Sequence, residues 1–170
     1  RRRYIGLNVD VYEVKLGDDF LMSSLFTTSE QALGRLGVEH ALQTRRSGGP
    51  DGSDGSDGSG VDVVVGGLGL GYTAAAVLEN PAVRSLVVVE YLEPVIEWHR
   101  NGLLPVSAAL IEDRRCRFVS ADFFACAMSE NGFDPQHAGR RFDAVLVDID
   151  HSPDAWLHAE NQSFYAVSGL

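Results

Sequence analysis

The stretch from residue 61 to residue 78 limits the folds open to this chain more than any other part of the sequence. It contains one charged residue, Asp62, and four glycines within six positions, namely Gly66, Gly67, Gly69 and Gly71. A run of about 18 apolar residues can span a membrane, but glycines at this density would weaken a helix in lipid. The β-branched residues 63–65, the glycines and the alanine-rich residues after them instead predict a buried strand, a tight turn and a helix.

After this unit the chain alternates between strand-like and helix-like patterns, which is typical of parallel βαβ architecture. Strands are expected at residues 61–65, 86–90, 117–120 and 144–148. Helices are expected at residues 72–79, 94–101, 107–111 and 153–160, with Glu93 and Ser152 as N-caps before Pro94 and Pro153. The sequence therefore predicts an α/β fold built on a parallel sheet.

Residues 1–46 follow a different pattern and are predicted to form an N-terminal β-hairpin and a helix. Strand-like residues 11–16 and 20–26 flank a turn at residues 17–19, and residues 28–42 have a helical pattern with Thr28 and Gln31 placed as a capping box. Residues 47–60 contain only glycine, serine, aspartate and one proline, which predicts a flexible linker. The expected organisation is an N-terminal unit at 1–46, a linker at 47–60 and an α/β domain at 61–170.

Charge and cysteine content exclude several classes of partner. The formal net charge of −10 argues against nucleic-acid binding, which depends on clustered basic residues, and the three arginines at the start of the sequence are too few to reverse it. Cys116 and Cys126 are too few for a disulfide framework, so both are expected to be free thiols. We expect a cytoplasmic protein with no membrane segment.

The glycine turn and the acid after the second strand together indicate nucleoside binding. Gly67, Gly69 and Gly71 give a turn in which the backbone can approach a ligand closely. Glu90, at the end of the second strand, is placed to accept hydrogen bonds from two ribose hydroxyls. Asp122, after the third strand, is a candidate acceptor for an adenine amino group. The alternatives are a merely tight turn, a solvated acid at Glu90 and a helix cap at Asp122.

The end of the fourth strand carries the candidate catalytic residues. Asp148, Asp150 and His151 lie at the strand end where open α/β sheets bind ligands. Asp148 could orient an incoming amine or remove its proton. Asp150 could equally be a turn residue, and His151 a polar residue at the rim. A metal site on these three residues would need another ligand, so no metal is expected.

The same glycine loop also fits a dinucleotide fingerprint, which keeps a second class of enzyme open. Gly69, Gly71 and Ala74 match its spacing with alanine at the third position, and Glu90 would again bind a ribose. An NAD-dependent oxidoreductase is therefore one alternative. A catalytically degenerate binding or dimerisation module is another, so a homodimer is among the expected states.

Beyond these patterns, the chain resembles the spermidine synthase family, polyamine aminopropyltransferases built on the class I methyltransferase fold. The resemblance rests on the glycine loop, on Asn80-Pro81-Ala82-Val83, on Val88-Val89-Glu90, on Glu93-Pro94-Val95-Ile96-Glu97 and on Phe164-Tyr165. It implies a Rossmann-like sheet of strand order 3-2-1-4 and a cofactor that is S-adenosylmethionine or its decarboxylated form. It also implies that Gly67, Gly69, Gly71 and Glu90 bind the nucleoside, that Asp122 binds the adenine, and that Asp148 is catalytic.

The chain departs from the family pattern at three points. Leu70 stands where the family has an aspartate that binds the cofactor's propylamine, and the second acid of the fourth-strand motif, Asp150, is one position closer to Asp148. No tyrosine lies between Tyr12 and Tyr72 to match the family's polyamine-contacting tyrosine. The expected function is therefore transfer of a methyl or an aminopropyl group to a small acceptor such as an amine. Because the sheet would end at its fourth strand, we expect a C-terminally truncated and diverged member.

Overall fold

The structure is a computed structural model that describes residues 1–47, 60–149, 161–162 and 164–166. Its strands are β1 (Arg2–Tyr4), β2 (Val9–Val11), β3 (Glu13–Leu16), β4 (Asp19–Ser23), β5 (Val61–Gly66), β6 (Val83–Glu90), β7 (Cys116–Ser120) and β8 (Ala144–Val147). Its helices are α1 (Thr28–Arg46), α2 (Tyr72–Leu78), α3 (Glu93–Arg100), α4 (Ser107–Glu112) and α5 (Phe123–Ala127).

A four-stranded parallel sheet of order β7-β6-β5-β8 forms the centre of the fold and confirms the predicted order 3-2-1-4. Residues 63–65 of β5 and 86–89 of β6 are almost wholly inaccessible to solvent. Strands covered on both faces need apolar side chains at every position, which explains the unbroken valine runs of the sequence. The sheet places the ends of all four strands along one edge.

Two apolar clusters cover the two faces of this sheet. Val63, Val65 and Val88 pack with residues from α1, α2, α3 and α4 on one face. Val64, Val87 and Phe123 pack on the other face, where a group of aromatic side chains completes the cluster. The alternation follows from the two-residue period of a strand. The sheet is therefore the middle layer of a three-layer α/β arrangement.

Helix α1 is one continuous helix despite two glycines, and both glycines have a packing role. A Cβ on Gly34 would lie 2.7 Å from the carbonyl oxygen of Thr73 in α2, and one on Gly37 would collide with the side chain of Leu146 in β8. Glycine is unfavourable inside a helix, but here it permits close contact between backbones. The N-terminal helix is thereby packed directly against the unit that carries the glycine loop.

The N-terminal hairpin is confirmed as β3 and β4, and a second ribbon precedes it. Strands β1 and β2 pair antiparallel, which the sequence analysis missed because both strands have only three residues and are largely exposed. Ion pairs of Arg1 and Arg3 with Asp10, and of Arg2 with Glu13, join the ribbon. The three N-terminal arginines are thus paired with acids within the unit.

Several predicted boundaries were wrong by one to four residues. Helix α1 begins after Thr27, not Thr28, and Gln31 Nε2 donates to the Thr27 hydroxyl at 2.8 Å, so the predicted capping box does not form. Leu92, rather than Glu93, is the N-cap of α3. Strand β4 ends at Ser23 and β6 begins at Val83. Local patterns do not fix ends because tertiary contacts extend or shorten each element.

A buried carboxylate anchors the segment between α5 and β8. Asp134 is fully buried and accepts from Arg117 at 2.5 Å, from Arg140 at 3.1 Å and from His137 at 3.0 Å. Arg140 also pairs with Asp62 on β5 at 3.1 Å. Burial acts to raise the pKa of Asp134, but the bonds from Arg117, His137 and Arg140 outweigh it, so the pKa lies well below its usual range. These ion pairs therefore hold the segment against strands β7 and β5 of the sheet.

Other predictions concern thiols, membranes and residues outside the described part of the chain. Cys116 and Cys126 are free and half-buried, as expected, and burial raises the pKa of the Cys116 thiol to about 12. No helix among the described residues is long and apolar enough to cross a membrane. The central part of the linker, residues 48–59, and the predicted helix at 153–160 with its cap Ser152 lie outside the described residues.

Candidate functional site

The glycine loop lies between the end of β5 and the start of α2, with backbone conformations that require glycine. Gly67, Gly69 and Gly71 have φ angles of 90°, 46° and 86°. A Cβ on Gly67 would collide with the backbone carbonyl of Asp148, and one on Gly69 would lie 2.6 Å from Met22. Other protein atoms therefore lie close to the loop on two sides, and the predicted tight strand-to-helix turn is present.

Glu90 contacts the loop directly through its carboxylate. Oε2 accepts from the backbone N–H groups of Leu68 at 2.9 Å and Gly69 at 3.4 Å, and Oε1 accepts from Leu92 N–H at 2.8 Å. A carboxylate offers about four acceptor positions, so one position on Oε1 stays open to a ribose hydroxyl. Glu90 thus fixes the loop to the end of β6. Its predicted contact with two ribose hydroxyls would need the weaker Gly69 bond to open.

Asp148 follows the last residue of β8 and faces the start of α2. Its backbone N–H donates to Gly66 at 2.8 Å, and its Oδ2 accepts from the Thr73 hydroxyl at 2.5 Å. Burial raises the pKa of Asp148, the Thr73 bond lowers it, and the negative charge of Glu30 raises it. The net shift is upward, which makes this carboxylate a stronger base than an exposed aspartate.

The surroundings of Asp148 come from the N-terminal unit as well as from the sheet. Burial raises the pKa of Tyr72, a hydrogen bond from Ser24 lowers it, and Tyr12 and Glu30 lie close enough to raise it further. Met22 of β4 lies over Gly69. The N-terminal unit therefore brings Tyr12, Met22 and Glu30 to the region around Tyr72 and the glycine loop.

His99 lies under the loop and is fully buried. Its Nε2 is 3.0 Å from the carbonyl oxygen of Gly69, and its Nδ1 is 3.3 Å from the hydroxyl of Ser107. A Cβ on Gly71 would lie 2.7 Å from the ring. The imidazole therefore contacts two of the three loop glycines from the side of the core.

Asp122 caps helix α5, one of the two roles foreseen for it. Its Oδ1 accepts from the N–H groups of Phe124 at 2.9 Å and Ala125 at 3.2 Å. The preceding Ala121 N–H donates to the carbonyl of Glu90 at 3.1 Å, so Asp122 lies at the same sheet edge as Glu90. The capping bonds use one carboxylate oxygen, and the predicted adenine contact stays a prediction.

The structure brings most of the predicted site residues together. The glycine loop contacts Glu90 on one side and the Asp148 backbone on the other, and Asp122 lies one strand further along. Asp150 and His151 lie outside the described residues, so their roles stay predictions. Sequence reasoning missed Thr73 and His99, because their partners Asp148 and Gly69 are distant in sequence and no local pattern marks such pairs.

Comparisons with known proteins find a similar fold at low sequence identity. No protein-family model matches the chain, and no curated protein has a similar sequence. Spermidine synthase from Thermotoga maritima is 19% identical, with 76% of this chain and 36% of that chain covered and a TM-score of 0.48. A spermidine synthase in complex with the transition state analogue AdoDATO is 18% identical, with 84% and 40% covered and a TM-score of 0.52.

The chain spans about two fifths of the length of these synthases. The TM-score of 0.52 and the parallel sheet of order β7-β6-β5-β8 agree with the Rossmann-like fold that the sequence predicted. The chain has a spermidine synthase-like fold.

Proposed function

We propose that this chain is the cofactor-binding part of a transferase that uses S-adenosylmethionine or its decarboxylated form. It transfers a methyl or an aminopropyl group to a small acceptor, and Asp148 is its catalytic residue. The observation that supports this most is the position of the Asp148 carboxylate, which is bound by Thr73 and adjoins the glycine loop through its own backbone. This position supports a base next to the proposed nucleoside site.

The loop is compatible with an adenosyl group because Gly67, Gly69 and Gly71 have left-handed φ angles and carry no side chain that would hold a nucleoside away from the backbone. Glu90 retains an acceptor position for a ribose hydroxyl, and Asp122 retains an oxygen for an adenine amino group. The spermidine synthase with a TM-score of 0.52 binds AdoDATO, which supports an adenosyl-type ligand here.

We assign two roles to Asp148, which are to remove a proton from the acceptor amine and to orient that amine. When bound, an adenosyl sulfonium would supply an activated carbon to the nitrogen lone pair of an amine acceptor, and the electrons of the broken carbon–sulfur bond would remain on a neutral thioether. The amine must lose one proton, and Asp148, whose pKa is raised by burial, accepts it. The Thr73 hydroxyl orients the carboxylate.

The acceptor we propose is a small amine. Glu30 lies near enough to Asp148 to raise its pKa, and Tyr72 lies near enough to both Glu30 and Tyr12 for each to raise the pKa of Tyr72. An ammonium group between two carboxylates would relieve their repulsion, and aromatic faces attract cations. This charge pattern favours a cationic acceptor over an anionic one.

Leu70 bears on which cofactor is used. Its side chain is 3% exposed, so the loop offers an apolar residue where a carboxylate would bind the ammonium of a propylamine arm. This favours S-adenosylmethionine over its decarboxylated form, whereas the likeness to spermidine synthases favours the decarboxylated form. Product analysis decides between them.

Binding is the first test of the proposal. The protein is titrated by calorimetry with S-adenosylmethionine, decarboxylated S-adenosylmethionine and methylthioadenosine, and saturable binding of at least one is expected. Failure of all three to bind would overturn the proposal. NADH is the matched comparison ligand, and binding of NADH alone would identify an oxidoreductase instead.

Mass spectrometry of the products is the second test. Putrescine is incubated with the protein and each sulfonium donor, and a mass gain of one methyl or one aminopropyl group identifies the reaction. An unchanged diamine with both donors would exclude putrescine as the acceptor. Asp148→Asn is the control variant. It is expected to lose transfer activity while still binding the cofactor.

A further inference from the structure

We infer that His99 is a positioning residue for the cofactor loop, acting through a hydrogen-bond chain from Ser107 through the imidazole to the Gly69 carbonyl. This inference rests on the proposed function, because it assigns the ring a role in shaping the loop that binds the nucleoside. His99 is not itself placed to touch the ligand, since it lies fully buried on the core side of the loop.

The hydrogen bonds around the ring place a proton on Nε2. The Gly69 carbonyl can only accept, so Nε2 must carry the proton and donate to it at 3.0 Å. Ser107 Oγ accepts from Leu104 N–H at 3.2 Å and can donate its own proton to Nδ1 at 3.3 Å. The chain of donors therefore runs in one direction, from Leu104 through Ser107 and His99 to Gly69. It connects the start of α4 to the loop.

The electrostatic surroundings agree with this neutral tautomer. Burial lowers the pKa of His99, and the Gly69 bond and the charge of Glu90 act in the opposite direction. The net shift is downward, so the ring is neutral at pH 7. Phe118 contacts the ring edge with centroids 5.9 Å apart, which restricts its rotation.

Gly69 is consequently hydrogen-bonded through both its backbone N–H and its backbone carbonyl. Its N–H faces Glu90 Oε2 at 3.4 Å, and its carbonyl accepts from His99. Gly69 is the middle glycine of the loop and has a left-handed φ of 46°. An unrestrained glycine would sample many other backbone conformations as well. Two bonds from opposite sides select this one conformation. A leucine in place of His99 would fill the core but leave a buried carbonyl unsatisfied.

The test compares variants that keep or remove the Nε2 donor. His99→Gln retains an N–H at the same reach, His99→Leu removes it, and Ser107→Ala removes the partner of Nδ1. Val83→Ala is the control, because Val83 is 1% exposed and lies at the opposite end of β6 from the loop. It lowers core stability without touching the chain of hydrogen bonds.

Two readouts are measured on each variant, and neither requires catalysis. The first is amide hydrogen exchange of residues 67–71 in the ligand-free protein, with the melting temperature measured alongside. The second is the Kd for S-adenosylmethionine or methylthioadenosine. We expect His99→Leu to speed loop exchange more than Val83→Ala does and to raise the Kd roughly tenfold. His99→Gln should recover most of both effects, and Ser107→Ala should show them in weaker form.

The outcomes separate this inference from the proposed function. Equal loop exchange in His99→Leu and Val83→Ala, or no recovery by His99→Gln, would overturn the role of His99. If the wild-type protein binds neither nucleoside, the proposed function fails, and loop exchange still decides whether His99 positions Gly69. If His99→Leu does not fold, faster loop exchange in Ser107→Ala than in Val83→Ala supports the inference, and equal exchange rejects it.

Discussion

The Thr73 hydroxyl donates a 2.5 Å hydrogen bond to Asp148 Oδ2 and so joins the first turn of α2 to the residue after β8. Thr73 is 2% exposed, and its own carbonyl is approached closely by Gly34 of α1. The side chain that orients the candidate base is therefore part of the packed core. The pKa and the direction of the Asp148 carboxylate both depend on this contact.

Thr73→Val is expected to raise the pKa of Asp148. The substitution keeps the shape of the side chain but removes the donor, and a hydrogen bond to the charged form is the main influence that lowers this pKa. Carbon-detected NMR titration of the aspartate carboxyls measures the shift directly, and the acid limb of the transfer rate should move to higher pH. Thr73→Ser, which keeps the hydroxyl, is the control and should titrate like the wild type. Identical titrations of Thr73→Val and wild type would contradict this account.

Asp148→Asn is expected to stabilise the fold at neutral pH while abolishing transfer. The pKa of Asp148 in the folded state is raised above the ordinary 3.8. At pH values above 3.8 the native state therefore binds more protons than the unfolded state, and the stability of the fold falls as the pH rises through the folded pKa. Asparagine removes this titration and still accepts from Thr73. The melting temperature of the variant should exceed that of the wild type at pH 7, and the difference should shrink towards pH 4. A lower melting temperature at pH 7 would show that the charged form is favoured in the fold.

Gly67→Ala is expected to destabilise the protein and abolish nucleoside binding. Gly67 has a φ of 90°, and its Cβ would collide with the Asp148 backbone, which cannot yield as a flexible side chain can. The matched control is Gly102→Ala, where φ is 68° but nothing lies within 4 Å. The control should cost only about 1–2 kcal/mol of backbone strain and leave the Kd unchanged. Chemical denaturation and calorimetric titration measure both quantities, and equal losses in the two variants would rule out a special role for the Gly67 contact.

Asp134→Asn is expected to lower the free energy of unfolding by about 3 kcal/mol, because it removes the buried negative charge that Arg117 and Arg140 both contact. The folded pKa of Asp134 is depressed, so its contribution is present above 3.8 and is lost as pH falls. Urea denaturation at pH 7 and at pH 3 should therefore show a smaller difference between variant and wild type at the lower pH. Glu79→Gln, which breaks the exposed pair with Arg35, is the control and should change stability by less than about 1 kcal/mol.

Asp122 has two candidate roles that substitutions can separate. Asp122→Ser retains a capping oxygen for α5, so its melting temperature should stay near that of the wild type. If the second oxygen binds adenine, the same variant should weaken the Kd for methylthioadenosine severalfold. Asp122→Ala should lose about 1 kcal/mol of stability as well. A wild-type Kd in Asp122→Ser would leave Asp122 as a helix cap alone.

Much of the fold was predictable because its determinants are local in sequence. A valine run followed by glycines and alanines can form few structures other than a strand, a turn and a helix, and alternation of such units predicts a parallel sheet. Boundaries failed where local signals are weak. Strands β1 and β2 are short and exposed, and α5 has only five residues. None of these three elements is long enough to give a periodic pattern of apolar residues.

The sequence by itself determined the strand–glycine–helix unit and the acids that end its strands, and the strand order was implied by the resemblance to the spermidine synthase family. Only the tertiary structure decided that Thr73 binds Asp148 across 75 positions of sequence and that His99 binds Gly69 across 30. It also decided that Gly34 and Gly37 serve packing rather than interrupt α1. The reason is physical: a side chain's propensity is set by its neighbours in sequence, whereas its hydrogen-bond partner is set by which elements pack together.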